Sequence, residues 1–174
     1  MADRERLTGA LLVGGASRRF GSPKALATLG GETLAERLWR LLGEACDERI
    51  AVGKSADGLA LPFPLVDDGC DVRAPVAGVV AALRTASHET CVVVPVDCPW
   101  LTAATVRRLG RERAVPQTGP LPGAYDRAML PELERRLAAG ELSLRGVNPR
   151  VVTVDERELR DVDVPGDLRD ELLD

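Results

Sequence analysis

Histidine is almost absent from this chain. His88 is the only one in 174 residues and sits in the polar turn Ser87-His88-Glu89. A surface turn residue is the plain reading, which sets histidine-dependent catalysis aside. Aromatic residues are equally scarce, with two Trp, one Tyr and two Phe. That is too few for a platform on which single-stranded bases stack. The net charge is −4 and no basic tail is present, which sets nucleic acid aside as a partner. No apolar run approaches the ~20 residues of a membrane span, and the opening MADRERLTG lacks the apolar segment of a secretory signal. A cytoplasmic protein with no membrane partner is therefore expected. The four cysteines, Cys46, Cys70, Cys91 and Cys98, are 24, 21 and 7 residues apart, a spacing that fits no zinc site. They read as reduced, packed thiols.

Lysine is the last scarce residue. Of the 23 basic residues only Lys24 and Lys54 are lysines. In so arginine-rich a chain, a lysine suggests a place that wants a compact ammonium rather than a planar fork. What remains is ordinary: 45% hydrophobic and 29% charged residues, a length suited to one domain over residues 1–174, and enough chain for a full core.

Strands and helices alternate. Leu7–Val13 is a short apolar run ending in Gly14-Gly15, which fits a buried strand. Thr33 and Glu36 form a capping box before apolar residues at helical spacing as far as Cys46. Strands are expected at Arg49–Gly53 and Pro62–Val66, and a buried helix at Val76–Ala86. Thr90–Val96 carries a continuous β-branched run, suited to a sheet covered on both faces. Thr102 is placed to cap a helix running to about Arg113. The proline- and glycine-rich stretch from Ala114 to Asp126 reads as two short edge strands joined as a hairpin. Leu130–Ala139 reads as a helix stopped by Gly140, Val151–Val154 as a strand, and Val164–Leu173 as a final helix with Pro near its start. The fold class is α/β: a three-layer sandwich whose mixed, mostly parallel sheet has helices on both faces. Ligands in such sheets bind beyond the carboxyl ends of the strands, so chemistry is sought just after Val13, Val66 and Val96.

The first of these places reads GGASRRFGSPKAL from Gly14 to Leu26. Glycines let backbone N–H groups approach an anion closely, while arginine and lysine neutralise its charge. The spacing Gly14, Gly15, Gly21 is not the dinucleotide fingerprint, and Gly21 is followed by Ser-Pro-Lys rather than the Lys-Ser/Thr of a Walker loop. A polyphosphate cradle and a flexible charged turn both fit. At the third place Asp97 follows VVVPV, where one carboxylate beside phosphates suits Mg²⁺; a simple turn before Pro99 fits as well. At the second, Asp67 and Asp68 end a strand, and the adjacency leaves open which of them faces a ligand.

Leu12, Gly14, Gly15, Ser17, Arg19, Gly21, Lys24, Ala25 and Leu26 together resemble the signature loop of the MobA-like nucleotidyltransferases, the family of molybdenum cofactor guanylyltransferase. Ala74-Pro75-Val76-Ala77-Gly78 resembles that family's G-P-L-A-G, and Asp97-Cys98-Pro99-Trp100-Leu101 its D-x-P-x-L. Pro122-Gly123-Ala124-Tyr125, Ser143-Leu144-Arg145 and Asp161 to Leu168 resemble later segments, so the likeness covers nearly the whole chain. Pro23 stands where the family has Asp, an arrangement shared with related enzymes that use CTP or sugar phosphates. Asp161 and Asp163 stand where it has Asn.

The resemblance implies a Rossmann-like fold of the nucleotide-diphospho-sugar transferase kind. It implies transfer of GMP from GTP to molybdopterin with release of pyrophosphate, Mg²⁺ as cofactor and Mn²⁺ as a substitute. Arg19, Lys24 and Asp97 are the implied catalytic residues, with Asp97 on the metal. Nucleotide contacts are implied for Leu12, Val13, Gly14, Gly15, Ser17, Lys24, Gly53, Asp68, Gly78 and Asp97, and acceptor contacts for Asp161 and Asp163. A monomer is expected, in transient contact with proteins that deliver molybdopterin or assemble molybdoenzymes. Two alternatives stay open: a sister enzyme using CTP or a sugar-phosphate acceptor, and a nucleotide-binding domain without turnover.

Overall fold

The computed structural model describes residues 5–14 and 20–168. Strand β1 (Leu7–Leu12) is buried at every position. Beyond the glycine loop, β2 (Thr28–Leu29) and β3 (Glu32–Thr33) pair antiparallel. Their turn residues Gly30 and Gly31 both take positive φ, 62° and 88°, as a tight right-twisting hairpin requires. This hairpin is not among the sequence-based expectations. It delivers the chain to α1 (Leu34–Ala45), where the expected capping box forms: the Thr33 hydroxyl accepts from Glu36 N, and the Glu36 carboxylate accepts from Thr33 N at 2.9 Å.

Strand β4 (Glu48–Gly53) follows. The next strand is shorter than expected: β5 is only Val66–Asp67, because Pro62 and Pro64 lack the N–H groups a ladder needs. The segment before it is held by side chains, with Phe63 stacked on Trp39 at 4.3 Å and Arg49 over the Trp39 ring at 4.5 Å. Then come α2 (Pro75–Thr85), β6 (Thr90–Pro95) and α3 (Ala103–Glu112), the last capped by Thr102 as expected. Strands β7 (Val115–Pro116) and β8 (Gly123–Asp126), helix α4 (Leu130–Ala138) and strand β9 (Val151–Val152) complete the regular elements. Residues 165–168 form a 3₁₀ turn, and the rest of the expected final helix lies outside the described residues.

The main sheet has the order β5-β4-β1-β6-β8, with β5, β4, β1 and β6 parallel and β8 antiparallel to β6. Alternation along the strands fills both faces. Leu11, Val92 and Val94 join Leu34, Leu38, Leu42, Val106 and Leu109 on the α1/α3 side. Ala10, Leu12, Val52 and Val93 join Val76, Val79, Val80 and Leu133 on the α2/α4 side. The architecture is the expected three-layer sandwich with a mixed, mostly parallel sheet.

The expected hairpin within Ala114–Asp126 does not form. Strand β7 pairs in parallel with β9, and β8 with β6. Ala124 N donates to Ala114 O at 3.0 Å, so the two segments stay adjacent, but two further contacts direct their pairing elsewhere. The Tyr125 hydroxyl donates to Pro120 O at 2.8 Å, folding the intervening loop back onto β8. The Gln117 amide accepts from Val154 N and donates to Val154 O at 2.9 and 2.8 Å, extending the β7–β9 pairing. Among the described residues no helix is long and apolar enough to cross a membrane.

Candidate active site

The carboxyl ends of β1, β4, β5 and β6 open on a cleft of about 310 Å³. Leu12, Val13 and Gly14 reach it from β1, Gly53 and Lys54 from β4, Asp68 from β5, Asp97 from β6 and Gly78 from α2, with Lys24 across the mouth. Residues from six separate stretches of sequence thus meet where the strand order reverses about β1, the place such sheets reserve for ligands. Gly15, Ser17 and Arg19 lie outside the described residues.

Two glycines of the cleft are needed for packing. A Cβ on Gly53 would stand 2.9 Å from Val13 Cγ2, and one on Gly78 2.8 Å from Leu12 Cδ2. Gly78 thereby brings the first turn of α2 down against β1. That turn has Pro75 near its start, no acidic residue and no side-chain cap at Ala74. The positive end of the helix dipole consequently faces the cleft with no carboxylate in its own first turn.

The Lys24 ammonium lies 3.3 Å from Asp163 Oδ1 and 3.8 Å from Asp97 Oδ2. Asp97 lies two residues beyond the end of β6, and its carbonyl accepts from Val162 N at 2.8 Å. That bond docks the C-terminal segment over the strand end and brings Asp161 alongside. Asp97 and Asp161 each place an oxygen near Cys98 Sγ, at 3.7 and 3.3 Å. The three ligand atoms lie within 4.8 Å of one another. Burial, and then the Asp161 charge, raise the Asp97 carboxyl above its usual range, while Lys24 works against them. Burial first, then Asp97 and Asp161, push the Cys98 thiol up. The donors on offer are therefore two carboxylates and a protonated thiol, a hard-oxygen set suited to Mg²⁺ or Mn²⁺ rather than to a soft metal.

The structure separates Asp67 from Asp68. Successive strand residues face opposite ways. Asp67 turns outward and accepts from Ser55 N and Gly69 N, both at 2.7 Å, while Asp68 lines the cleft. Lys54 was not expected here. Its scarcity was the available signal, and both lysines of the chain in fact line the same cleft. Arg73 was also missed. It makes a two-pronged pair with Asp57, at 2.7 and 3.2 Å, beside a smaller recess that it shares with Gly14, Pro23 and Lys24. Leu144 and Arg145 line neither space. They border a separate recess near β7.

A family model described as MobA-like NTP transferase domain matches residues 9–153. A molybdenum cofactor guanylyltransferase of Desulfosudis oleivorans is 33% identical, over 91% of this chain and 86% of its own length. A probable molybdenum cofactor guanylyltransferase of Deinococcus radiodurans is 37% identical, over 85% of this chain and 82% of its own. Among solved structures, molybdopterin-guanine dinucleotide biosynthesis protein A of Archaeoglobus fulgidus superposes with a TM-score of 0.79. It covers 93% of this chain and 95% of that one at 23% identity.

Proposed function

Because this chain belongs to the MobA-like NTP transferases, we propose that it transfers GMP from GTP to molybdopterin and releases pyrophosphate. The observation that carries the reading is the meeting of Lys24, Asp68 and Asp97 in one cleft at the strand ends, beneath the uncapped start of α2. A phosphate oxygen of the acceptor attacks the α-phosphorus of the nucleotide. One P–O bond forms to that oxygen as the bond to the β-phosphate's bridging oxygen breaks, and pyrophosphate carries away the electron pair. The attacking oxygen is already anionic, so no strong general base is needed. That agrees with the position of His88, which precedes β6 at the opposite end of the sheet from the cleft.

Charge placement then does the catalysis. Lys24 neutralises the phosphates, and Arg19 joins it from the glycine loop. Asp68 and the first turn of α2 face the nucleoside. Asp97, with Asp161 beside it, would hold Mg²⁺ or Mn²⁺. Such an ion supplies Lewis-acid charge to the transferring phosphoryl oxygens. Asp161 and Asp163 stand at the Lys24 end of the cleft, where the acceptor phosphate must enter. Pro23, the departure shared with CTP-using relatives, lines the smaller recess rather than the wall formed by Asp68 and Gly78. Its bearing is on the phosphates rather than on the base.

The test has two arms. In a thermal-shift comparison of GTP, CTP, ATP and UTP with Mg²⁺, GTP should stabilise most, by ~2.7 kcal/mol at 100 times its Kd. Pyrophosphate release should then require both GTP and molybdopterin. Stronger stabilisation by CTP would move the chain to the sister enzymes, and binding without release in the presence of the acceptor would leave only a nucleotide-binding domain.

A further inference from the structure

Asp161 is an exposed residue, yet its carboxylate stands beside Asp97 at the strand end. Among the described residues a single hydrogen-bond donor meets that carboxylate: the Cys98 thiol, whose Sγ lies 3.3 Å from Asp161 Oδ1. The same sulfur is 3.7 Å from Asp97 Oδ1. A thiol has one proton and an ionised carboxylate only accepts, so the bond goes to the nearer oxygen, on Asp161. The two partners differ in how firmly they are held. Cys98 is 1% exposed and packs with Val96, Leu101 and Val106 in the α1/α3 core. Asp161 belongs to a segment docked through its backbone, by Val162 N on Asp97 O at 2.8 Å. That bond sets where the segment runs and leaves the Asp161 side chain to rotate. A thiol suits the remaining task, because it packs as a small apolar group while its S–H still donates.

We propose that Cys98 is a positioning residue for the metal site: its thiol tethers the exposed Asp161 carboxylate beside Asp97, so that both stand ready for one divalent cation. The proposal rests on the Mg²⁺ or Mn²⁺ reading given above. A carboxylate free to rotate must be ordered when an ion arrives, and that ordering lowers the affinity. Groups bonded to metal ligands hold them in place beforehand, and losing one typically weakens metal binding about 10- to 100-fold. A thiol is a weak donor, which puts Cys98 at the lower end of that range, about tenfold. Cys98 does not itself bind the ion in this arrangement. Its sulfur keeps its proton for Asp161, and Mg²⁺ and Mn²⁺ prefer oxygen.

Mn²⁺ titrated into the whole protein, followed by loss of the free ion's paramagnetic resonance signal, tests this without any turnover. Cys98→Ala and Cys98→Ser are close in size and differ in the donor. The alanine variant should bind Mn²⁺ about tenfold more weakly, while the serine variant should keep most of the wild-type affinity. In an Asp161→Ala background, Cys98→Ala should bring no further loss, since the side chain it positions is gone. Equal losses in the two variants, or a tenfold loss that persists without Asp161, would make Cys98 a packing residue and overturn the proposal. Unchanged binding by Cys98→Ala would overturn it as well. Co²⁺ gives a second readout that turns on the sulfur alone. Its complex with the wild-type chain should lack the near-ultraviolet thiolate-to-cobalt band, and presence of that band would make Cys98 a ligand instead. If the wild-type chain does not bind Mn²⁺, or Asp161→Ala binds it equally well, the metal reading fails first and this one with it.

Discussion

Lys24 reaches Asp163, 139 positions later in the chain, at 3.3 Å. The ammonium assigned to the substrate's phosphates is thus in contact with a carboxylate of the C-terminal segment. That segment is braced for the purpose, since Asp167 accepts from the backbone N–H groups of Asp163 and Val164 at 2.8 and 3.0 Å. On the proposed reading, Asp163 takes the place of a substrate phosphate, which would have to compete with it for Lys24.

Asp163→Asn should therefore tighten tripolyphosphate binding. The carboxylate is 67% exposed, so the gain is that of a solvent-screened pair, about 0.2–1 kcal/mol, or roughly 1.5- to 5-fold in Kd. Isothermal titration of both proteins decides it, and unchanged or weaker binding would show that Asp163 does not compete for Lys24.

Lys24→Ala should cut kcat by ~10²–10³, by analogy with loss of one transition-state donor. Lys24→Arg should also lose most activity, because a planar guanidinium cannot take the place of a point charge between several oxygens. Neither change should unfold the chain, since Lys24 lies in a single 3₁₀ turn at the cleft mouth. Steady-state pyrophosphate release is the measurement. Normal turnover by the arginine variant would make Lys24 a generic cation.

Asp97→Asn should cripple turnover far more than nucleotide binding. The substitution keeps the size of the side chain and the backbone carbonyl that Val162 N needs, so the docked C-terminal segment should stay in place. What it removes is the charge that a divalent cation requires, and the loss should fall on kcat. Single-turnover pyrophosphate release, beside nucleotide titration of the same variant, separates the two. Near-normal release would send the search for the metal ligand to Asp161 or Asp163.

Glu48 gives a pH test at the opposite end of the sheet. Its carboxylate accepts from the Thr8 hydroxyl at 2.5 Å and from the Ser87 amide and hydroxyl at 2.8 Å. Burial pulls its pKa up, but these bonds outweigh it and hold the group below the usual glutamate value of 4.5. A carboxyl lowered in the folded state contributes stability above its unfolded pKa and loses it as pH falls through the folded one. Glu48→Gln should be less stable than the wild type at neutral pH, by about 1–2 kcal/mol. The two melting temperatures should converge in acid, and a difference constant with pH would mean the bonds do not depend on the charge.

Gly78→Ala should destabilise the fold by about 1–3 kcal/mol, the usual cost of overpacking, because the new methyl meets Leu12. Chemical denaturation measures this. A neutral result would return Gly78 to a purely ligand-facing role.

Much of this was legible in the sequence where the signal is local. Thr33 with Glu36 marks the start of α1, Thr102 that of α3, and the β-branched run to Val94 a strand buried on both faces. Lys24 and Asp97 fall where the strand-end rule looks for chemistry. Other features depend on partners distant in sequence. Strand β7 finds β9 rather than β8 through Gln117, a residue no periodicity singles out. Asp67 and Asp68 are equivalent as letters and become distinct only when the pleat turns one outward. Lys54 meets Asp68 and the Cys70 carbonyl only in the fold, so its rarity marks it without saying where it points. The Gly30-Gly31 turn, by contrast, is a local signal, two adjacent glycines that both take positive φ.

The sheet order has a consequence for synthesis. The first strand made, β1, is the central one. Its partners are Glu48–Gly53 on one edge and Thr90–Pro95 on the other. A ribbon buried at every position must therefore wait for residue 95 to be translated before both its edges can pair. At ~5–20 residues per second that interval is on the order of ten seconds. Through it the nascent chain offers an open strand edge to chaperones and to its own neighbours on the polysome.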